Sequence, residues 1–493
     1  MPDESAGGPS PLVQELLQGL DDSDVSWCQW KSTIDLDRAA SGASDLDLLV
    51  SRADQAAVLE ALGRLGFREA EPPPEKSAAG TRSFFGYDPA TPRLIHAHVH
   101  YLLMVGHDLS KGFRLPLEDQ FLSSARQSGI FRVPSPELEF ISFVVRMVLK
   151  RGTLDTILRG RGRLPARDSK ELEWLEESAD PALVSEILVR NLESIDPEVF
   201  GNCRDALRFD SSAWQLWQCG RRLRAKMADR SPRSPVSDAG YRLRRTLSYR
   251  ARKSVRGNAP GYTPVGGGLI VAAVGSDGAG KSTALQAVEE WLSRDYDVLR
   301  VHLGRPSWSR TTYLVRGGLK LGRLVASPFQ RLRIGRATDA SDLPPAPTWK
   351  ELAQNVCVAR DRKRVYREAA AAAARGRIVL CDRFPLPGLM SMDGPQVRRL
   401  IEGTRSGLLE QFAMRHEERS YSTISPPDLL VVLQIPAQLA LDRKPEDQTE
   451  RVRQRSKEIL GIDWSSTGAI VLDAVRPAAE IAAEMKQHIW REI

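Results

Sequence analysis

"GLIVAAVGSDGAGKSTALQAVEEWLSR", residues 268–294, decides how the carboxy-terminal half of this 493-residue chain is built. Its first seven residues, Gly268 to Val274, form an apolar run rich in β-branched and small side chains, the pattern of a buried parallel strand. The run passes straight into Gly275-Ser276-Asp277-Gly278-Ala279-Gly280-Lys281-Ser282-Thr283, and "TALQAVEEWLSR" then has the apolar spacing of a helix. Strand, glycine-rich loop and helix therefore come in the order of a phosphate-binding loop. The glycines let the backbone wrap closely around phosphates, with consecutive N–H groups and the helix amino terminus facing the negative charge. Gly275 to Thr283 is thus the expected ATP-binding segment: Lys281 reaches the outer phosphates and the Ser282 hydroxyl can ligate Mg2+.

Four more apolar runs lie downstream: "YDVLRVHLG" (Tyr296 to Gly304), "RIVLCDRF" (Arg377 to Phe384), "DLLVVLQIP" (Asp428 to Pro436) and "AIVLDA" (Ala469 to Ala474). Helical stretches separate them, among them "WKELAQNVCVARDRKRVYREAAAAAARG", which Gly376 closes as a helix terminator. Alternating strands and helices predict an α/β fold, a parallel sheet covered on both faces. Ligands bind such sheets at the carboxyl ends of the strands, where the loop after Val274 and the pair Asp382-Arg383 both fall. Asp382, closing a strand beside the loop, is placed to hold Mg2+ with Ser282.

With these motifs, residues 268–493 resemble the thymidylate kinase family. The loop "GSDGAGKST" is similar to that family's form, and the resemblance implies that Asp277 contacts the sugar of an acceptor nucleotide. The family's Asp-Arg-aromatic motif appears as Asp382-Arg383-Phe384, and its upstream arginine falls at Arg362. "PPDLLVVLQIPAQLALDRK" is similar to the segment leading into the family's mobile lid, which makes Arg443, Lys444, Arg451, Arg453 and Arg455 lid candidates; on sequence alone, 451, 453 and 455 could equally form one exposed helix face. The resemblance implies ATP-dependent phosphoryl transfer to a nucleoside monophosphate, and a homodimer. The acceptor side departs from the family. Val358 stands where a thymine-stacking Phe is usual, the Arg-Glu-Pro-Gly-Gly segment is missing, and "FPLPGLMSMDGP" replaces the usual elements after Asp382-Arg383. Other acceptors, such as a sugar or specialised metabolite, are the alternative.

In the amino-terminal half, Asp45-Leu46-Asp47 opens an alternating stretch that places both carboxylates on one strand face. Paired carboxylates of this kind hold metal in two-metal nucleotidyl transfer. Residues 24–105 resemble the nucleotidyltransferase superfamily, with Lys31-Ser32 where a Gly-Ser pair is usual. The superfamily's third carboxylate is not evident, and "RLIHAHVHYLL" offers His96, His98 and His100 on one strand face, either as metal ligands or as structural side chains. The resemblance implies either catalysis at Asp45 and Asp47 or a surviving binding module. Residues 106–220 read as a helical extension in which Trp214 and Trp217 pack the core.

The formal charge of +7 is local. Residues 221–256 hold 13 Lys/Arg against two acidic residues, which leaves about −4 elsewhere. The expectation is an exposed basic linker over 221–265, between a flexible 1–23, a 24–105 module with its 106–220 extension, and a 266–493 kinase-like domain. Such a linker could contact nucleic acid or an anionic surface. An ATP-binding scaffold using that contact is the rival to an enzyme. No apolar run reaches a membrane span, and "MPDESAGGPS" lacks the regions of a secretory signal, so a cytoplasmic protein is expected. The five cysteines, without a CxxC pair, predict reduced thiols rather than a disulfide framework or a zinc site.

Overall fold

The computed structural model describes residues 8–158, 160, 162–208, 211–231, 233–256, 261–317, 347–386, 389, 393–402, 407–443 and 449–493. They divide into two compact units, Met1–Val265 and Gly266–Ile493.

In the first unit, strands β1 (Trp27–Gln29), β2 (Leu46–Val50), β3 (Arg68–Glu71), β4 (Thr81–Asp88) and β5 (Arg93–His100) precede two small hairpins, β6 (Met104–Val105) with β7 (Phe113–Arg114) and β8 (Arg126–Ser128) with β9 (Phe131–Val133). A late strand, β10 (Thr263–Pro264), joins the main sheet, whose order is β1-β2-β5-β4-β3-β10. The β2–β5 pair is parallel and every other neighbouring pair is antiparallel. Parallel pairing sets Asp47 opposite His98. Because side chains alternate along strands, Asp45 and Asp47 share a face with His96, His98 and His100.

The helix Pro11–Asp22 buries Leu12, Val13, Leu16, Leu17 and Leu20 in the core shared with this sheet. The flexible segment expected over 1–23 is therefore corrected for this stretch: Ser10 caps the helix, Pro11 sits at its start, and the apolar stripe needs covering. A second core centres on the helix Pro136–Arg151, most of whose residues are buried. It packs with the helices Ala166–Ser178, Pro181–Asn191, Pro197–Asp205 and Ala213–Lys226. Gly152 and Gly220 let backbones touch here, since a Cβ on Gly220 would lie 2.5 Å from the Gly152 carbonyl oxygen. Trp214 is not the core residue expected. It is 58% exposed and stacks on Trp217 with ring centroids 4.4 Å apart, because Leu216, Gly220 and Leu223 occupy the inward face of that helix.

The stretch read as an exposed linker is largely helical. Pro235–Arg256 forms one helix, and β10 completes the first unit's sheet against β3. Three of its arginines are engaged rather than merely solvated: Arg252 faces the buried Glu75 at 3.3 Å, Arg242 faces Asp238 at 3.5 Å, and Arg245 donates to the Leu109 carbonyl at 2.9 Å.

In the second unit β11 (Ile270–Gly275), β12 (Val298–His302), β13 (Ile378–Asp382), β14 (Leu429–Gln434) and β15 (Ile470–Asp473) form a wholly parallel sheet in the order β12-β13-β11-β14-β15. The expected α/β architecture is present, with each predicted apolar run supplying one strand. β11 and β13 are buried throughout, as central strands covered on both faces must be. Their carboxyl ends place the loop after Gly275 beside Asp382, with Ala273 in register with Asp382. Among the described residues no helix is long and apolar enough to cross a membrane. All five cysteines are free thiols.

Candidate functional site

The loop turns where its glycines allow it. Gly278 and Gly280 have φ of 87° and 82°, a region that disfavours any side chain, and a Cβ on Gly278 would meet the Ala440 carbonyl oxygen at 2.5 Å. The helix Lys281–Leu292 starts at once, so its first amides lack helical acceptors and line a cleft of about 710 Å3 with the rest of the loop. Lys281 is buried and donates from Nζ to the Ser276 carbonyl oxygen at 2.7 Å. Burial, then the neighbouring Arg383 charge, pulls its ammonium down to about 8. Ser282 donates from Oγ to Asp382 Oδ2 at 2.7 Å. These two oxygens side by side are a hard donor set of the kind Mg2+ takes, and they suit it.

Arg383 has a φ of 63°, an uncommon conformation for a non-glycine residue, at the end of β13. It pairs with Asp277, and so does Arg455 from the helix Thr449–Leu460. Burial tends to raise the Asp277 carboxyl, but Arg383, Arg455 and Lys281 outweigh it and hold the group below its ordinary value. Arg455 also lines a second cleft of about 390 Å3, with Val358, Arg362, Gln396, Glu417 and Tyr421. Arg362 is buried there: it donates to the Leu303 carbonyl at 2.6 Å, faces Asp393 at 3.2 Å and bonds the Tyr421 hydroxyl. The Asp277 bridge thus ties the loop cleft to a polar neighbour.

Of the predicted residues, the loop from Asp277 to Thr283 with Asp382, Arg383 and Arg443 lines the first cleft, and Arg362 and Arg455 line the second. Arg443 donates to the Ala474 carbonyl at 2.9 Å. Arg453 is exposed and lines neither of these clefts. The side chain of Arg451 and the whole of Lys444 lie outside the described residues. Sequence reasoning missed Arg300, 3.6 Å from Asp382, although a lone arginine inside the apolar "VLRVH" was a signal. It also missed Asp393 and Tyr421, whose proximity to Arg362 has no local signature.

In the first unit, Asp47 is buried while the Asp45 side chain is 58% exposed. Asp47 Oδ1 lies 2.8 Å from Lys31 Nζ, 3.3 Å from His100 Nε2 and 3.4 Å from His98 Nδ1. Asp45 faces His96 Nδ1 at 3.1 Å. Burial would raise the Asp47 carboxyl, but Lys31 and the two histidines hold it well below the ordinary carboxylate range. Burial pushes His98 down to about 4 and holds His100 well below its ordinary value. A two-magnesium nucleotidyl-transfer centre does not fit this arrangement. Imidazoles stand beside Asp47, an ammonium occupies its oxygen, and Mg2+ favours oxygen ligands.

No known protein-family model matches the chain. It is 26% identical over 227 residues to the uncharacterized ATP-binding protein YghS of Escherichia coli, a stretch that is 44% of this chain and 90% of that protein. It is 25% identical over 237 residues to the uncharacterized ATP-binding protein YghR of the same bacterium, 47% of this chain and 88% of that protein. Each similarity covers nearly all of the relative and under half of this chain.

Proposed function

We propose that the unit Gly266–Ile493 transfers the terminal phosphoryl group of ATP to a small acceptor, with a nucleoside monophosphate, as in thymidylate kinases, the first candidate. One observation carries the reading: Lys281 and the Ser282–Asp382 oxygen pair meet in one cleft, and Asp277 links that cleft through Arg455 to a second, arginine-lined one. The description of both Escherichia coli relatives as ATP-binding supports the donor half.

In this reading the loop amides and Lys281 hold the outer phosphates of ATP, and Arg362 and Arg455 orient the acceptor. As an acceptor oxygen bonds to the γ-phosphorus, the bond to the β–γ bridging oxygen breaks and ADP leaves. Lys281 and Arg383 meet the charge that spreads over the transferred group. Mg2+, held by Ser282 and Asp382, would neutralise the donor phosphates when bound. No covalent intermediate on the protein is required.

A second reading keeps this chemistry and changes the acceptor to a phosphorylated sugar or related metabolite. Val358 lines the second cleft where an aromatic platform for a base is usual, and Gln396, Arg399, Glu417 and Gln454 make its walls polar. Incubation of the chain with ATP and Mg2+ and a panel of nucleoside monophosphates and sugar phosphates, following ADP, separates the two. ADP release that depends on dTMP supports the first, and release with a sugar phosphate alone supports the second. Release with no acceptor in a broad panel contradicts both.

A further inference from the structure

The first unit holds a side-chain cluster that phosphoryl transfer does not use. β2 and β5 run parallel with Asp47 opposite His98, and the two-residue strand period brings His100 to the same face. Three potential ligand atoms converge as a result: one from each of Asp47, His98 and His100, all within 4.8 Å of one another. The separations carry the information. A four-coordinate ion with bonds of about 2.0–2.1 Å needs neighbouring ligand atoms about 3.3–3.4 Å apart, the edge of a tetrahedron. The two edges from Asp47 Oδ1 are 3.3 Å to His100 and 3.4 Å to His98.

We propose that Asp47, His98 and His100 form a binding site for a single divalent transition-metal ion of the zinc class. Two imidazoles and one carboxylate are a nitrogen-rich set that selects zinc, cobalt and their neighbours over Mg2+ and Ca2+. The site is built rather than accidental, since Asp47 and His100 are buried, and Thr81 Oγ1 lies 3.5 Å from His100 Nδ1, the nitrogen that faces away from Asp47. With Nδ1–H directed at Thr81, Nε2 would ligate through its lone pair, the metal taking the place of its present hydrogen bond to Asp47 Oδ1. Three protein ligands leave a fourth position for water or a further ligand. Without metal, Lys31 supplies the positive charge, with Nζ 2.8 Å from the same Asp47 oxygen. It therefore competes with the ion. The ammonium, on a flexible stem, already lies over the Trp30 ring, 5.0 Å from its centroid, while it pairs with Asp47.

The test titrates the full metal-stripped chain with Co2+ and follows its visible d–d absorption. The expected result is one Co2+ per chain with a four-coordinate spectrum, displaced by equimolar Zn2+ and untouched by a hundredfold excess of Mg2+. His98→Gln and His100→Gln, checked for folding by circular dichroism, should each weaken Co2+ binding at least about 100-fold. Lys31→Met should tighten it about tenfold, a gain that a purely structural ion pair does not predict. Absence of stoichiometric Co2+ uptake in both the native chain and Lys31→Met overturns the proposal. So does uptake that both histidine substitutions leave intact.

Discussion

Lys281 shows how much of the proposed chemistry rests on a single side chain. Its ammonium is out of water and fixed on the Ser276 carbonyl, so it is oriented before any phosphate arrives. Lys281→Ala should lower phosphoryl transfer by roughly 100- to 1000-fold or more, with an unchanged far-ultraviolet circular dichroism spectrum. Normal turnover in that variant contradicts the role. Glu139 makes a different residue-level prediction. It is buried with Thr33 as its partner, whose N–H lies 3.1 Å from Oε1, and burial raises its carboxyl from 4.5 to about 7. The folded chain then binds more protons than the unfolded chain between those values, so stability falls as pH rises from 4.5 to about 7 and levels off above. The loss should approach about 3 kcal/mol. Glu139→Gln, which keeps the shape, should flatten this part of the curve in urea unfolding measured from pH 4 to 8. Ser282, Lys281 and Asp382 were legible because a strand end and a loop have local signatures. Asp393 and Tyr421 were not, because chain crossings bring them to Arg362 from 31 and 59 positions away, and the lone Arg300 in its apolar run did not name Asp382, which sheet register brings to it from 82 positions away.

At the scale of elements, the second unit was open to reading and the first was less so. Five apolar runs separated by helical stretches leave few options for a parallel sheet, and each run became a strand. In the first unit, β10 arrives from about 190 residues beyond β3, a pairing that no local pattern encodes. The helix Pro11–Asp22 had its signs in Ser10, Pro11 and leucines at helical spacing, but the polar residues before it suggested a tail. Leu16 is fully buried in the core shared with the sheet. Leu16→Ala should cost about 2–5 kcal/mol in denaturant unfolding, whereas a flexible tail would show no change. The helix Pro235–Arg256 teaches a related lesson. Its charge count suggested a solvated linker, yet Glu75, Asp238 and backbone carbonyls engage its arginines. Counting charges does not reveal where their partners lie.

For the whole molecule, the division at Val265 and Gly266 separates two candidate sites, each built from residues of its own unit. The loop cleft draws on residues 277–481, and the Asp47 cluster draws on residues 31–100. Asp45→Asn should therefore leave acceptor-dependent ADP release within about twofold of the native rate, because sites with no shared partners act additively. A large loss would show that the units are coupled. The central claim, that the loop from Gly275 to Thr283 cradles a triphosphate, is tested most directly by calorimetric titration of the intact chain with ATP and Mg2+. Uptake of one ATP per chain, abolished or strongly weakened in Lys281→Ala, is the expected result, and an absence of nucleotide uptake by the folded native chain would contradict it.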